Sequence, residues 1–405
     1  MRLNNFIILV VFVTSSLLAD NFETSFNYFG NLTASSLNKD KFYIKGYQVD
    51  DVQDYFELST YSKLGFQTMI YNDKFTFVAQ AVSHYVDDSL NLDLTWLNAK
   101  YKIRDDFSIR VGRIQSAMFL NSDVRDIDYV NTWAIEPNAF YTMLPMRYYD
   151  GLDISYEKVI GDYYINITIT PYGEVSADID DMVSGSTLDV SDMHMVSLVL
   201  SNNDFKFKTS YAQVTMNIPI YDVNYHSIIQ TLQDEGNDIS KYNYIDKKIS
   251  FLTLGLEYNY ENYSFLTEIA KRDSVSLLPD TIAYYTMLSY RYDKFIPFIM
   301  YSSNNNDSSH FDTTNINDTA TNGVTKTELE KILYQTNDSQ RTFSIGFRYD
   351  LKTGIALKFQ VDKIFIKNYG TDYSDSVKRL GYTQIDAGVK DDNVYQTTIG
   401  LSFAF

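Results

Sequence analysis

The chain has 405 residues, a formal net charge of −18 and a pI near 4.6. This acidity argues against nucleic acid as a partner, because phosphate backbones attract basic surfaces. The chain contains no cysteine, which excludes thiol catalysis, thiolate metal sites and disulfides. Aromatic residues make up 16% of the chain, led by 35 Tyr and 26 Phe, so the composition is rich in strand-forming residues.

The N-terminus has the pattern of a secretory signal peptide. Arg2 precedes an unbroken apolar run at 6–13, and small residues then lead to Ala19 and the acidic Asp20. The run falls well below the ~20 residues that a membrane-spanning helix needs, so an uncleaved anchor is the less favoured alternative. We therefore predict that residues 1–19 are a cleaved signal peptide and that the folded protein begins at residue 20.

From residue 20 onward, polar and apolar side chains alternate at period two. In 395–405 one face carries Tyr, Thr, Ile, Leu, Phe and Phe, and the other carries Gln, Thr, Gly, Ser and Ala. The segments 341–351 and 355–362 repeat this pattern, with charged residues on the non-apolar face. Such alternation indicates strands that face lipid on one side and a water-filled interior on the other.

Sixteen such strands, a count we take as accurate to within two, are predicted along the chain. They lie near 24–34, 60–71, 74–85, 90–103, 107–115, 148–158, 162–173, 192–203, 205–215, 248–260, 263–272, 282–292, 295–302, 341–351, 354–364 and 394–405. Because only helices and closed barrels satisfy every backbone group inside lipid, the predicted fold is an all-β, transmembrane antiparallel β-barrel.

The predicted connections alternate in length. Tight turns are predicted at 72–73, 104–106, 160–161, 202–204, 261–262, 293–294 and 352–353. Between them lie the connections 35–59, 86–89, 116–147, 174–191, 216–247, 273–281, 303–340 and 365–393, of which only 86–89 is short. Residues 326–334 could form a short helix. The alternation of short and long connections predicts short periplasmic turns, long extracellular loops and both chain ends on the short-turn side.

Two features of the chain resemble the Gram-negative outer-membrane porin superfamily. The first is the alternating C-terminal strand that ends in an aromatic residue. In that family such a strand is the signal read by the barrel assembly machinery. The resemblance assigns this role to Tyr395, Ile399, Leu401, Phe403 and Phe405.

The second feature is a strand that ends Gly112-Arg113, followed by the long connection 116–147 and a strand that starts Asp150-Gly151. It is similar to the porin pattern in which this connection folds into the pore. The chain departs from that pattern because no proline follows Arg113 closely and no dense series of inward arginines is present. The resemblance covers nearly all of 20–405 and leaves the subfamily open.

We expect charged residues of this connection to set a pore constriction if it folds inward, whereas an external solvated loop is the equal alternative. The candidate constriction residues are Arg113, Asp123, Arg125, Asp126, Asp128, Glu136 and Arg147. The polar strand faces supply candidate pore-wall residues, which are mixed in sign: Arg110, Lys206, Lys208, Glu257, Glu268, Arg272, Arg291, Arg348, Lys358 and Asp362.

The resemblance implies an outer-membrane channel for passive diffusion of small hydrophilic solutes or ions, with a mild cation preference from its acidic loops. The expected partners are outer-membrane lipid and lipopolysaccharide, the barrel assembly machinery and other copies of the chain in a homotrimer, with no cofactor and no metal. An adhesin or structural barrel is the main alternative, because its loops would look the same. An energy-coupled transporter is disfavoured, since strand alternation leaves no room for a preceding plug domain.

A barrel enzyme, such as a lipase or protease, is the less favoured alternative. The histidines 84, 194, 226 and 310 lie in no Gly-x-Ser-x-Gly or His-Glu-x-x-His context, so no catalytic residue is predicted. The acidic run 178–181 has oxygen ligands of the kind that Ca²⁺ prefers, but it lacks EF-hand spacing. A solvated loop is the more common explanation for such a run.

Overall fold

The computed structural model describes residues 22–37, 42–44, 57–58, 61–86, 89–141, 143, 146–178, 187–217, 223–242, 245–274, 278–335, 339–366, 383–385 and 393–405. The predicted signal peptide, residues 1–19, lies outside these residues. Within the described ranges, no helix combines the length and the apolar character needed to cross a membrane.

Nineteen strands are present in the described residues, and we number them in chain order. They are β1 Glu23–Leu37, β2 Phe42–Ile44, β3 Glu57–Leu58, β4 Lys63–Tyr71, β5 Phe75–Val86, β6 Ser89–Arg104, β7 Phe107–Gln115, β8 Tyr148–Ile160, β9 Tyr163–Asp178, β10 Thr187–Ser201, β11 Phe205–Asn217, β12 Lys247–Tyr260, β13 Tyr263–Ser274, β14 Thr281–Tyr290, β15 Phe295–Asn306, β16 Gln340–Lys352, β17 Ile355–Ile366, β18 Thr383–Ile385 and β19 Asn393–Ala404.

Sixteen of these strands form one closed antiparallel barrel. Strands β4 to β17 pair in sequence order, and β1 pairs with both β4 and β19, which closes the sheet. The two-residue β3 pairs with Ala34 and Ser35 of β1 and so extends the position of β4. Strands β2 and β18 form a separate two-stranded sheet. The predicted all-β barrel of sixteen strands is therefore confirmed.

Several strands run further into the long connections than the alternation predicted. Strand β9 continues to Asp178 and β10 begins at Thr187, so both ends of the predicted connection 174–191 are paired strand. Ser176 Oγ donates to Asp189 Oδ1 across this pair at 2.6 Å. Polar residues at these strand ends hide the alternation, but the backbone ladder continues because its hydrogen bonds do not depend on side-chain polarity.

The short turns lie at one end of the barrel and use residues that stabilise tight backbone reversals. Asn72 Oδ1 accepts from the backbone N–H groups of Lys74 and Phe75, at 2.9 and 2.8 Å. Asn202 makes the matching pair of bonds to Asp204 and Phe205. Such local side-chain bonds favour turns over continued strand. The last short turn falls at 353–354, one residue beyond the predicted position.

The outer face of the barrel is apolar. Large hydrophobic side chains are exposed along every other position of the strands, as at Phe26, Tyr28 and Leu32 of β1. Exposed tyrosines lie near the short turns: Tyr163, Tyr258, Tyr260, Tyr263, Tyr290 and Tyr292. An apolar band bordered by aromatic residues is typical of barrels that face lipid.

The C-terminal strand closes this face. Phe405 and Tyr28 exchange two backbone hydrogen bonds of 2.9 and 2.8 Å, and their rings lie 5.2 Å apart. Tyr395, Ile399 and Phe405 are exposed on the outer face, whereas Leu401 and Phe403 are partly buried. Their role as an assembly signal stays a prediction.

The long connections carry the helices, at the end opposite the short turns. They are α1 Asn138–Tyr141, α2 Val223–Asp234 and α3 Val324–Gln335, of which α3 confirms the helix expected near 326–334. Two of these connections are joined by polar contacts. Asn237 donates to the carbonyl of Asn317 at 2.7 Å, and the Glu235 carboxylate accepts from Thr319 and Ala320.

The interior is not uniformly polar, in contrast to the sequence-based expectation. A large apolar cluster lies inside it, formed by the inward faces of β10–β15, by residues of 116–147 and by the helices α2 and α3, with Ile114, Tyr149 and Val175 at the long-connection ends of β7–β9. The cluster contains eight of the chain's eleven methionines: Met118, Met143, Met146, Met193, Met195, Met216, Met287 and Met300. Methionine suits such irregular contacts because its unbranched side chain adapts to gaps.

Candidate functional site

Residues 116–147, which connect β7 to β8, form the segment with the most polar contacts across the interior, and we call them the inner segment. Ser116 N–H donates to the carbonyl of Arg147 at 2.9 Å, so the segment starts and ends at the same place. Just before it, Gly112 of β7 lies opposite Gly151 of β8. A Cβ on Gly112 would lie 2.3 Å from the carbonyl oxygen of Leu97, and its φ is +121°. The glycines of the sequence motif therefore permit close strand approach.

Residues 117–120, which we call the first arm of the inner segment, lie along β11 to β13. Lys208 Nζ donates to the carbonyl oxygen of Phe119 at 2.7 Å. Lys206 Nζ donates to the carbonyl oxygen of Leu120 at 3.0 Å. Both lysines were predicted as pore-wall charges, and both are bound to the backbone of the segment.

Glu268 of β13 binds the first arm to the barrel wall through a buried carboxylate. Its Oε2 accepts from the backbone N–H of Leu120 at 2.7 Å. Its Oε1 accepts from the hydroxyl groups of Tyr285, at 2.6 Å, and Tyr141, at 3.1 Å. Only 1% of Glu268 is exposed. One buried carboxylate thus holds two parts of the inner segment that are 21 residues apart, and a buried group with several donors is costly to remove.

Residues 128–135, which we call the second arm of the inner segment, lie against β16 and β17. The side-chain oxygen of Gln360 accepts from the backbone N–H groups of Ala134, at 2.9 Å, and Ile135, at 3.2 Å. The amide nitrogen of Gln360 donates to the carbonyl of Ile135 at 3.3 Å. Lys358 Nζ donates to the carbonyl of Asp128. This arm is therefore held through its backbone as well.

Arg348 of β16 binds the second arm nearer to the short-turn end of the barrel. Its guanidinium donates to the carbonyl of Tyr129 and lies 4.6 Å from the centre of that ring. The Tyr129 hydroxyl accepts from the backbone N–H of Gly354, which lies in the short turn between β16 and β17. The inner segment therefore extends deep into the barrel rather than resting on its rim.

The charged residues of the inner segment form three ion pairs. Arg125 and Glu136 pair within the segment at 2.6 Å, and Arg147 pairs with Asp126 at 2.8 Å. Asp128 pairs with Lys63 at the start of β4 at 3.0 Å. Five of the seven candidate constriction residues are therefore brought together by these three pairs.

Two of these carboxyl groups are held in the charged form. Burial alone would raise the pKa of Glu136, but the guanidinium of Arg125 outweighs it and the pKa lies below the usual value. Burial is likewise outweighed at Asp126, where Arg147 and Lys63 lower the pKa. At Asp128 burial prevails and raises the pKa despite Lys63 and Lys358.

The other two candidate constriction residues are placed differently. Asp123 is exposed and makes no ion pair among the described residues. Arg113 pairs with Asp150 at 2.7 Å and stacks on Tyr148 at 4.4 Å. The strand register puts Arg113 on the same face as Val111, which is exposed on the outer surface. Arg113 therefore does not join the three ion pairs of the inner segment.

The candidate pore-wall residues divide by location. We call the inward faces of β11–β17 the covered wall and the inward faces of β5–β9 the exposed wall. Six candidates are buried on the covered wall: Lys208, Glu268, Arg272, Arg348, Lys358 and Asp362. The remaining four, Arg110, Lys206, Glu257 and Arg291, keep part of their surface accessible. Arg291 pairs with Asp350 at 3.1 Å, and Glu257 accepts from Asn259 at 3.2 Å.

Other candidate residues on these walls have local partners. Arg272 donates to the carbonyl of Pro279 at 3.0 Å and to that of Met143 in the inner segment at 3.3 Å. The carboxylate of Asp362 accepts from Gln360 at 2.9 Å. Arg110 pairs with Asp153 at 2.6 Å on the exposed wall.

Sequence reasoning missed several residues of this site. Gln360 and Tyr285 were overlooked because uncharged inward side chains were not weighed as contacts for a connection. Lys63 and Asp93 carry charge on inward strand positions, so the alternation could have identified them.

No candidate metal site is found in the described part of the chain. There, no group of three or more His, Cys, Asp or Glu side chains could hold a metal ion. The four histidines lie on four different elements: β5, β10, α2 and the 3₁₀ turn Ser308–Phe311. Residues 179–181 of the acidic run considered for Ca²⁺ lie outside the described residues.

Comparisons with known proteins give structural likeness without sequence likeness. No protein-family model matches the chain, and no curated protein sequence matches it. The outer membrane channel DcaP of Acinetobacter baumannii matches with a TM-score of 0.56 and 10% identity, over 95% of this chain and 98% of that one. An anion-selective porin from Comamonas acidovorans matches with a TM-score of 0.55 and 13% identity, over 95% and 100%.

A trimer form of OmpT, an outer membrane protein of Vibrio cholerae, matches with a TM-score of 0.51 and 12% identity, over 95% of this chain and 100% of that one. All three likenesses cover nearly the whole length of both chains. The chain therefore has the fold of the Gram-negative outer-membrane porins, a closed antiparallel barrel of sixteen strands.

Proposed function

We propose that the protein is a passive channel of a Gram-negative outer membrane, through which small hydrophilic solutes and ions diffuse. Residues 1–19 act as the secretion signal, the short turns face the periplasm and the long connections face the exterior. The inner segment narrows the water-filled interior and so decides which solutes pass. The protein carries out no chemical reaction and needs no cofactor.

The observation that carries this proposal is the attachment of the inner segment to the interior wall. A barrel of sixteen strands is wide enough to hold water. A purely structural barrel has no need for buried Glu268, Gln360 and Lys358 to hold a long connection deep inside it. A segment fixed in this way sets a pore diameter, which is how porins select by size.

The apolar outer face supports residence in a membrane, and the exposed tyrosines near the short turns suit its interface with water. Assembly into a homotrimer is part of the proposal, supported by the trimer form of the OmpT structure. The aromatic C-terminal strand, with Tyr395 and Phe405 on its outer face, is proposed as the signal for barrel assembly.

Single-channel conductance of the refolded mature protein in planar bilayers tests the proposal. We expect stable steps of open current, and a salt gradient should give a reversal potential of small magnitude. Cross-linking before denaturation reports the trimer independently. Absence of current from a protein that is shown to be folded and inserted would favour an adhesin or a structural barrel instead.

A further inference from the structure

Many inward charged side chains differ in exposure between the two walls, although Asp153 is buried on the exposed wall and Lys206, Glu257 and Arg291 keep accessible surface on the covered wall. On the exposed wall, Lys100, Glu157 and Arg110 keep 35%, 34% and 32% of their side-chain surface accessible. On the covered wall, Lys208 and Lys358 keep 6% and 1% of their surface accessible. This difference does not arise from the strands themselves, because the two walls belong to one continuous sheet.

The contents of the barrel account for the difference. Both arms of the inner segment lie against β11, β13, β16 and β17, where wall lysines and Gln360 bind its backbone. The apolar cluster with its eight methionines fills space beside β10–β15 and includes Ile114, Tyr149 and Val175 at the long-connection ends of β7–β9. We infer that accessible volume inside the barrel is left along the rest of β5–β9.

Two charged residues of the exposed wall make no ion pair among the described residues. Lys102 of β6 lies next to the short turn 105–106, and Asp93 lies nine positions away on the same strand. Asp93 lies opposite Val82, and Val82 in turn lies opposite Gly65, which faces inward. Asp93 therefore also faces inward, and it is exposed. The charges of Arg147 and Asp126 of the inner segment act on it. The neighbouring cations of this wall are neutralised, since Lys100 pairs with Glu157 at 2.9 Å and Arg110 pairs with Asp153.

We propose that the open path runs between the inner segment and the exposed wall, and that Asp93 determines its charge preference. This inference rests on the proposed channel function and names the residues that the solute meets. Beside the inner segment the balanced pairs leave the carboxylate of Asp93 facing the path, whereas Lys102 lies at the short-turn end of the same strand. A fixed negative charge at this position favours small cations over small anions. The six buried charges of the covered wall take no part in selection.

Accessibility to a thiol reagent tests the path, because the natural chain has no cysteine and each single substitution gives one site. Asn91→Cys and Lys100→Cys place thiols at accessible positions of the exposed wall. Ser302→Cys and Ser402→Cys are matched, nearly isosteric controls on inward positions of β15 and β19 that are 1% and 0% exposed. A charged methanethiosulfonate should lower the open current of the first two by about twofold or more and leave the controls unchanged.

Asp93→Asn tests the charge assignment, with Glu257→Gln on the covered wall as the matched control, since Glu257 accepts only from Asn259 among the contacts above. We expect the reversal potential of Asp93→Asn to move toward anion preference and that of Glu257→Gln to stay at the unsubstituted value. Block of Ser302→Cys or Ser402→Cys to the same extent as Lys100→Cys would overturn the one-sided path. Equal reversal potentials for the Asp93→Asn and Glu257→Gln variants would overturn the role of Asp93. Either of these two outcomes would leave the proposed channel function intact. A lack of current in the unsubstituted protein would instead overturn the channel function, the one-sided path and the role of Asp93 together.

Discussion

The covered wall and the exposed wall belong to one continuous sheet and both carry charged residues, but the charges of the two walls have different partners. On the covered wall, cations and carboxylates point at backbone groups of the inner segment, as Lys208 does with Phe119 and Glu268 does with Leu120. On the exposed wall they point at each other, as Lys100 of β6 does with Glu157 of β8 and as Arg110 of β7 does with Asp153 of β8.

This difference follows from the cost of burying charge. A buried ammonium or carboxylate needs hydrogen-bond partners, and the unpaired carbonyl and N–H groups of an irregular segment supply them. A charge that stays in water needs no such partner, and an exposed pair contributes little to stability. Charges of the covered wall therefore act as anchors, whereas those of the exposed wall remain available to solutes.

The largest effect is expected from Glu268→Ala, which removes the anchor of the first arm. Three donors, on Leu120, Tyr141 and Tyr285, would lose their acceptor at a cost of about 1–3 kcal/mol each if they stayed buried. We expect the arm to detach instead, which gives a larger and noisier open current and a lower unfolding temperature.

Glu257→Ala is the control for that variant, because Glu257 is inward on the adjacent strand but only half-buried. Its current should match that of the unsubstituted protein. If Glu268→Ala also left the amplitude and noise of the current unchanged, the first arm would not depend on the covered wall.

A smaller effect is expected from Gln360→Ala, which releases only the second arm. Two N–H groups and one carbonyl of Ala134 and Ile135 would lose a partner, while the anchors Lys358 and Arg348 would remain. We expect increased current noise with a modest rise in mean conductance. Gln80→Ala is the matched control, since Gln80 bonds to Thr95 within the exposed wall; similar noise in both variants would argue against a specific anchor.

Acid should release the inner segment only at low pH. The pKa of Glu136 is lowered by Arg125 and that of Asp126 by Arg147, so both carboxylates stabilise the segment above the ordinary carboxyl range. That contribution is lost as pH falls through the lowered values, below about pH 4. Current noise should therefore stay constant from neutral pH to about pH 5 and rise below about pH 4.

The paired acid control is Glu157→Gln, which leaves both of these pairs intact and should keep the same acid response. A rise in noise already between neutral pH and about pH 5 would show that groups other than Glu136 and Asp126 hold the segment.

The sequence was sufficient to predict the barrel but not the division of its interior. Period-two alternation and sorted connection lengths are local signals, so all sixteen strands could be identified and their closure inferred. Burial of Lys358 against Asp128, 230 residues away in the chain, depends on where the inner segment lies, and no local pattern contains that information.

The apolar cluster could not be predicted for the same reason, since its burial also depends on where the inner segment lies. Inward methionines such as Met195 and Met287 occupy positions that alternation marks as the water-facing side, but the inner segment and helices cover them. The predicted constriction residues Arg125 and Glu136 do pair, because residues of one connection are near each other in any compact arrangement. Arg113 was misplaced by its position beside that connection, although its strand register puts it on the outer face.

The smallest effects, with opposite signs, are expected from the two members of one exposed pair. Lys100→Gln leaves the carboxylate of Glu157 unbalanced and should increase cation preference, whereas Glu157→Gln leaves Lys100 unbalanced and should reduce it. Each should change the free energy of unfolding by less than about 1 kcal/mol, because the pair is partly exposed. Reversal potentials measured under one salt gradient would report both shifts. A large loss of stability in either variant, with no change of reversal potential, would make this pair an anchor like those of the covered wall and remove the distinction between the two walls.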